Sequence, residues 1–263
     1  MLKNFFKKNS HNNFFKAIAG FGRSANRFYE NRNHDIQTNG ELTILKKLST
    51  LKPTLVIDGG ANIGKYSAVL NEHFNNCKIY AFEPVKDTFD QLQKNIEGID
   101  NIITINKGLY HSNCEKKINL FDSHTHSSIY DIEELSDPMK GETNISLING
   151  DDFMKENNID QIDFLKLDLE GAEYDAIIGF EEAISKGKIK AIQFEYGYIN
   201  IITKKLLIDF YHFFNKHGYI LGKIFPKEVE FRDYELKYED FIGPNFVAVK
   251  ETETELIELL KNK

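Results

Sequence analysis

No tryptophan occurs in these 263 residues, and only two cysteines and five prolines do. Two thiols, Cys77 and Cys114, cannot build the disulfide framework of a small secreted scaffold, and they fit a reducing, cytoplasmic setting. No apolar run approaches the roughly 20 residues of a membrane-spanning helix. The chain starts basic with two phenylalanines, but no continuous apolar core and small-residue cleavage site follow, so a secretory signal is not expected. Positive charge is not in excess either: 33 Lys and Arg stand against 40 Asp and Glu, a net charge of -7. No global basic field draws such a chain to nucleic acid. The 41% of hydrophobic residues suffices, at this length, for one α/β domain with additions.

The first forty residues differ from the rest. Lys3, Lys7, Lys8, Lys16, Arg23, Arg27 and Arg32 alternate with Phe5, Phe6, Phe14, Phe15, Phe21 and Phe28. The plainer expectation is a helical arm packed on its own domain or on a second subunit of a homodimer. The other is a segment lying on an anionic membrane surface. The expected division is an arm over 1–40, a domain over 41–250 and a C-terminal helix over 251–263.

From Thr54 the pattern becomes strand, glycine turn, helix. Thr54–Asp58 is a short apolar run, Gly59–Gly64 a turn, and Lys65–Phe74 repeats apolar residues at helical spacing. Lys78–Glu83 and Ile102–Ile105 read as the next strands, with a helix over Val85–Ile96 between them. Periodicity then lapses: Lys116–Phe121 and Asn144–Ile148 are short strands around the polar loop Asp122–Pro138. Helix and strand alternate again through Ile162–Leu167, Ala172–Ile184, Ile189–Phe194 and Lys204–Lys216. Tyr219–Phe225 and Asn245–Val249 close the pattern. The expectation is a Rossmann-like, doubly wound, mostly parallel sheet with an antiparallel closing strand and an N-terminal helical arm.

The turn carries the most chemical information. Asp58-Gly-Gly-Ala-Asn-Ile-Gly64 reads D-x-G-x-N-x-G, which does not fit the G-x-G-x-x-G spacing of a dinucleotide site. Asn62 stands where a middle glycine is expected, and Asn is the side-chain-bearing residue that best tolerates a positive φ. An acid at the mouth of such a turn repels a pyrophosphate but suits an ammonium or sulfonium. Glu83, at the tip of the second strand, can accept both hydroxyls of a ribose. Together they favour a nucleoside bearing an amino acid.

At this point the chain resembles the FkbM-type S-adenosylmethionine-dependent methyltransferases, within the Rossmann-like class I methyltransferases. The resemblance rests on Val56–Gly64, on Ala81-Phe-Glu-Pro84, on the block Ile162–Glu173 (D-x-x-K-x-D-x-E-G-x-E from Asp163) and on Gln193-Phe-Glu195. It spans roughly Glu41 to Lys250 and implies S-adenosyl-L-methionine as cofactor. It implies that Asp58, Gly60, Asn62 and Gly64 line the methionine end, with Gly59 also among the cofactor-binding residues, that Glu83 holds the ribose and that Asn106 lies near the adenine. Glu41 is a further candidate for that pocket. The resemblance also implies methylation of a hydroxyl on a sugar, glycolipid or polyketide. Lys107-Gly-Leu109 departs from the family pattern, where a small apolar residue is expected, as does the His-rich loop.

Asp168, Glu170 and Glu173 follow a strand at the edge where open α/β sheets bind ligands. Alternation puts Lys166, Asp168 and Glu170 on one face if the strand extends that far, whereas Glu173 also reads as a helix-start residue favoured by the dipole. Methyl transfer to a sugar hydroxyl gains from a general base. The candidates for catalysis are Glu170, Glu195, His126 and Asp168, with Ser127 as a further contact. His124 and His126 lack zinc-site spacing, and no metal is assigned, although the carboxylates leave a divalent ion open. The expected partner is a small-molecule acceptor, sugar or sugar-nucleotide. The weighed alternatives are a nitrogen or phosphoryl-oxygen acceptor, a nicotinamide-dependent oxidoreductase and a non-catalytic scaffold.

Overall fold

The computed structural model describes residues 2–121, 127–132 and 138–262. Helices α1 (Leu2–Lys8) and α2 (Asn13–Tyr29) lead, and α3 (Glu41–Ser49) follows. The alternation opens with β1 (Leu55–Gly59), α4 (Lys65–His73), β2 (Lys78–Phe82), α5 (Lys86–Asn95) and β3 (Ile102–Ile105). Four strands come next: β4 (Gly108–Tyr110), β5 (Cys114–Phe121), β6 (Ser127–Ser128) and β7 (Met139–Asn149). Then α6 (Gly150–Glu156), β8 (Ile162–Leu167), α7 (Glu173–Gly179), α8 (Glu181–Ser185) and β9 (Ile189–Glu195) restore the alternation. The chain ends with α9 (Ile199–Thr203), α10 (Leu207–Lys216), β10 (Tyr219–Ile224), β11 (Val229–Phe231), β12 (Asn245–Lys250) and α11 (Thr254–Lys261).

Eight strands form the main sheet in the order β11-β10-β12-β9-β8-β1-β2-β3. From β3 to β9 neighbouring strands are parallel. β12 enters between β9 and β10 antiparallel to both, and the short edge strand β11 is antiparallel to β10. The fold is therefore the expected Rossmann-like sheet, with β11, on the far side of β10, as a second reversed strand in addition to β12. Residues of the central strands alternate between two apolar layers. Val56, Ile79, Ala81 and Phe164 pack with α3, α4, α5 and α11, whereas Ile57, Tyr80, Leu165 and Phe194 pack with α6, α7, α8 and α10. Each fully buried Val, Ile, Leu or Phe among them contributes about 1.5–3 kcal/mol. That two-sided burial is what the continuous apolar runs of the sequence encode.

A second sheet, β4-β7-β5-β6, fills the stretch where periodicity lapses. It is larger than the two strands the sequence predicts, and α6 behind it is not predicted at all. Asn149 caps α6 by accepting the Asp152 N–H at 3.1 Å. Two predicted helices are broken. The one over Ala172–Ile184 divides at Phe180, next to Gly179, where an added Cβ would lie 2.1 Å from the Tyr110 carbonyl oxygen. The other starts at Leu207, because Lys204 takes a left-handed φ of 56° and ends α9 instead.

The arm does not pack on its own domain as expected. No residue of α2 is buried. The chain is fastened immediately after that helix. Glu30 pairs with the buried Lys223 at 2.9 Å, and Asn31 Nδ2 donates to the carbonyls of Asn39 and Ile224. Cys77 and Cys114 are both free.

Candidate active site

The glycine turn joins β1 to α4 through three left-handed residues, Gly60 (φ 80°), Asn62 (φ 50°) and Gly64 (φ 87°). Gly60 is demanded by close approach as well. A Cβ there would lie 1.9 Å from the Asp168 carbonyl oxygen, so the turns after β1 and β8 touch only because it is absent. Glu83, beyond the end of β2, locks the turn in place. Its Oε2 accepts the Asn62 N–H at 3.1 Å and its Oε1 accepts the Val85 N–H at 2.8 Å. Burial pushes the Glu83 carboxyl up to about 7, against the pull of those two N–H groups.

Around this turn lies a cavity walled by Gly60, Asn62, Glu83 and Asp168 on the main sheet's edge. Its opposite wall is apolar: Pro84, Leu109, Ile118, Ile145 and Leu147, three of them from the β4–β7 region's strands β5 and β7. The sequence gives little sign of that wall, since its residues come from irregularly spaced strands. The departure at Lys107–Leu109 is the one hint, because Gly108 and Leu109 both line the cavity.

Several predicted site residues stand elsewhere. Asp58 is fully buried beneath the turn, not at its mouth. Its Oδ2 accepts the Ser67 hydroxyl at 2.6 Å, and its Oδ1 lies 3.9 Å from Lys166 Nζ with no hydrogen-bond partner among the described residues. Asp58 therefore faces an internal cation and is not the exposed acid that the sequence suggests. Gly59 packs against Leu109 and Leu167, and Gly64 against Leu92 and Ile96. Asn106 reaches back to donate to the carbonyls of Glu83 and Pro84, at 2.9 and 3.1 Å, and braces the strand tip rather than lining the cavity. Glu41 is buried between Asn39 and Gln193, each donating to it at 2.7 Å.

The acidic block does not continue as strand. β8 stops at Leu167, and Glu170 turns left-handed with φ 49°, which overturns the expectation of one shared strand face. Glu173 is buried and accepts the N–H groups of Leu169 and Gly171, so it organises the turn. Glu170 lines the first cavity and also a second, of about 530 Å³, together with Glu173, Glu195, Tyr196, Tyr198 and Arg32. That size is within the range of small-molecule sites. Burial pushes the Glu170 and Glu195 carboxyls well up, and the neighbouring charges of Asp168 and, for Glu195, of Glu170 push the same way. Arg32 and His34, from the segment after the arm, form part of this second wall, and Arg32 lies 4.7 Å from the Tyr198 ring centroid. Nothing local in the sequence marks either as a site residue. His124 and His126 lie outside the described residues. Ser127 lines the first cavity, and the Ser128 hydroxyl donates to the Glu170 carbonyl at 2.7 Å. Among the described residues no three His, Cys, Asp or Glu side chains are placed to hold a metal ion.

A family model described as the methyltransferase FkbM domain matches residues 58–221, more than half of the chain. The chain belongs to the FkbM methyltransferase family. Methyltransferase 1 of Beauveria bassiana is 24% identical over 147 residues, covering 49% of this chain and 59% of the relative. The hexuronic acid methyltransferase AglP of Haloferax volcanii is 24% identical over 156 residues, covering 58% and 60%. This FkbM-family chain thus spans about three fifths of the length of the curated relatives it matches. Among solved structures, an FkbM methyltransferase from Methylobacillus flagellatus is 18% identical with a TM-score of 0.47, covering 75% of this chain and 44% of that one.

Proposed function

We propose that this FkbM-family chain is an S-adenosylmethionine-dependent O-methyltransferase acting on a hydroxyl of a carbohydrate or sugar-nucleotide. The observation that carries the reading is the junction of two cavities at Glu170, one suited to a nucleoside and one to an acceptor. The first fits the cofactor by its donor set. Glu83 spends one lone pair of each oxygen on backbone N–H groups and keeps the others for two vicinal hydroxyls. Leu109, Ile118 and Leu147 offer an apolar wall to a base, and Asp168 offers a carboxylate to an ammonium. Gly60 and Asn62 hold the turn at the methionine end, with Asp58, Gly59, Gly64 and Asn106 supporting the turn and the strand tip, while Glu41 is bound to Asn39 and Gln193 away from the cavity lining. Bound there, S-adenosylmethionine supplies an electrophilic methyl group on sulfur.

The chain's own contribution is orientation and proton handling. Glu170 and Glu195 stand in one anionic cluster, which disfavours ionising both. The ionised partner accepts the acceptor's proton while the other donates a hydrogen bond to a neighbouring hydroxyl. Tyr198 gives the second cavity an aromatic surface for a sugar face, and Arg32 and His34 suit an acidic group on that sugar. The name of the Haloferax relative, a hexuronic acid methyltransferase, agrees with a sugar acid as acceptor.

Calorimetric titration with S-adenosylhomocysteine tests the cofactor assignment. Saturable binding is expected, weakened about 100-fold or more in Glu83→Ala, which loses a charge-assisted contact to two hydroxyls; absence of binding by the intact protein ends this reading. Incubation with labelled cofactor and a panel of neutral and acidic nucleotide sugars, read by mass shift, identifies the acceptor. Glu170→Gln is expected to lower kcat by about 10² or more while still binding S-adenosylhomocysteine. Arg32→Ala is expected to raise KM for acidic acceptors with kcat kept.

A further inference from the structure

Helix α2 carries an apolar face that the described residues leave uncovered. Phe14, Ile18, Phe21, Ala25 and Phe28 recur at steps of four and three, which puts them on one side of the helix. Phe14, Ile18, Phe21 and Phe28 are 68, 50, 78 and 87% exposed. Lys16, Arg23 and Arg27 fall on the opposite side. In α1, Phe5 and Phe6 are exposed too, at 63 and 44%, beside Lys3, Lys7 and Lys8. Residues 1–29 hold six Lys and Arg and no Asp or Glu, in a chain of net charge -7. Among the described residues no helix is long and apolar enough to cross a membrane.

We propose that this arm seats the protein peripherally on an anionic lipid surface, with α2 lying in the interfacial plane. An aromatic face backed by cations is the pattern that such a surface binds, through apolar burial and attraction to acidic headgroups together. A second copy is the poorer occupant. Pairing two arms through the aromatic face would bring two wholly cationic segments together with no acid on either to offset them. The root of the arm gives the docking a direction. Arg27 Nη2 lies 3.5 Å from the Tyr198 hydroxyl, and Tyr198, with Arg32 over its ring, lines the second cavity. A lipid-bound α2 therefore holds the mouth of that cavity beside the bilayer. The docking itself does not rest on the methyl-transfer reading.

The absence of tryptophan makes Phe21→Trp a single fluorescent reporter. Vesicles of phosphatidylcholine alone, and with phosphatidylglycerol added, are titrated into this variant, and co-sedimentation is measured on the unsubstituted chain. A blue shift and sedimentation with the anionic vesicles alone are expected, both reversed by salt. Replacing Lys16, Arg23 or Arg27 by Gln is expected to weaken association about fivefold each, the equivalent of roughly 1 kcal/mol per cation. Phe14→Ser with Phe28→Ser is expected to abolish it while S-adenosylhomocysteine binding is unchanged, which controls for folding. No association with anionic vesicles, or equal association with neutral ones, overturns the proposal. A dimer seen by light scattering, dissociated by the same two Ser substitutions and indifferent to vesicles, assigns the arm to a second copy and overturns it equally.

Discussion

Lys166→Met is expected to destabilise the protein by about 3–5 kcal/mol, the usual cost of stripping a buried ion pair of one partner. The lysine is 4% exposed, with Nζ 3.0 Å from Asp168 Oδ2, 3.9 Å from Asp58 Oδ1 and 4.4 Å from the Tyr66 ring centroid. Burial by itself lowers the lysine pKa, but Asp168, Asp58 and Glu41 outweigh it and hold the group above its ordinary value. Asp58 has the complementary problem. It is fully buried, its carboxyl is pushed up by that burial, and Lys166 and the Ser67 hydroxyl pull it back. Methionine fills the space of the lysine stem and leaves Asp58 as an unpaired internal charge. Urea unfolding near neutral pH measures the loss. Adding Asp58→Asn to the Lys166→Met background is expected to recover much of it, because the stranded charge is then gone. A Lys166→Met protein with the unsubstituted midpoint would show that the pair contributes nothing to folding.

The second large effect is a pair of opposed pH dependences. Burial pushes both Glu83 and Glu173 up to about 7 in the folded protein, from an ordinary value of 4.5. The folded state therefore binds these protons more tightly than the unfolded chain does. Between the two values it holds protons that the unfolded chain has released, so stability falls as pH rises from about 4.5 through 7. Each group accounts for roughly 3 kcal/mol across that window. With Glu83 in its proposed ribose role, affinity for S-adenosylhomocysteine is expected to run the other way, since only the ionised carboxylate accepts from two hydroxyls. About thirtyfold weaker binding is expected at about pH 5.5 than at about pH 8, the proton being released on binding. Thermal unfolding of the ligand-free protein and calorimetry across this range check the two slopes. Glu83→Gln is expected to flatten the binding profile fully and the stability profile in part. Parallel slopes of the same sign would remove Glu83 from the ligand's reach.

What could be read in the sequence follows from where local pattern and tertiary position coincide. β1, β2, β8 and β9 are buried on both faces, and their apolar runs say so without reference to anything distant. The turn was legible for a similar reason: Gly60, Asn62 and Gly64 take left-handed φ values that few other residues tolerate. Glu83 was legible because it ends a strand. Asp58 was misplaced because one residue of strand separates an acid at the edge from an acid underneath, and only the position of Lys166 reveals which applies. The left-handed φ of Glu170 was hidden as well, since glutamate carries no conformational signature of it. Arg32 and Tyr198 are far apart in the chain and meet next to the point where Glu30 and Asn31 fasten it to Lys223 and Ile224.

The two cavities draw on different stretches of the polypeptide. The walls of the first come from residues 60–172, while those of the second come from 32–34, 132 and 170–244, with Glu170 common to both. On the proposed reading, replacing the segments at 32–34 and 195–244 would alter the acceptor's walls while leaving those of the first cavity in place, with Glu170, among the described residues, the one answerable to both.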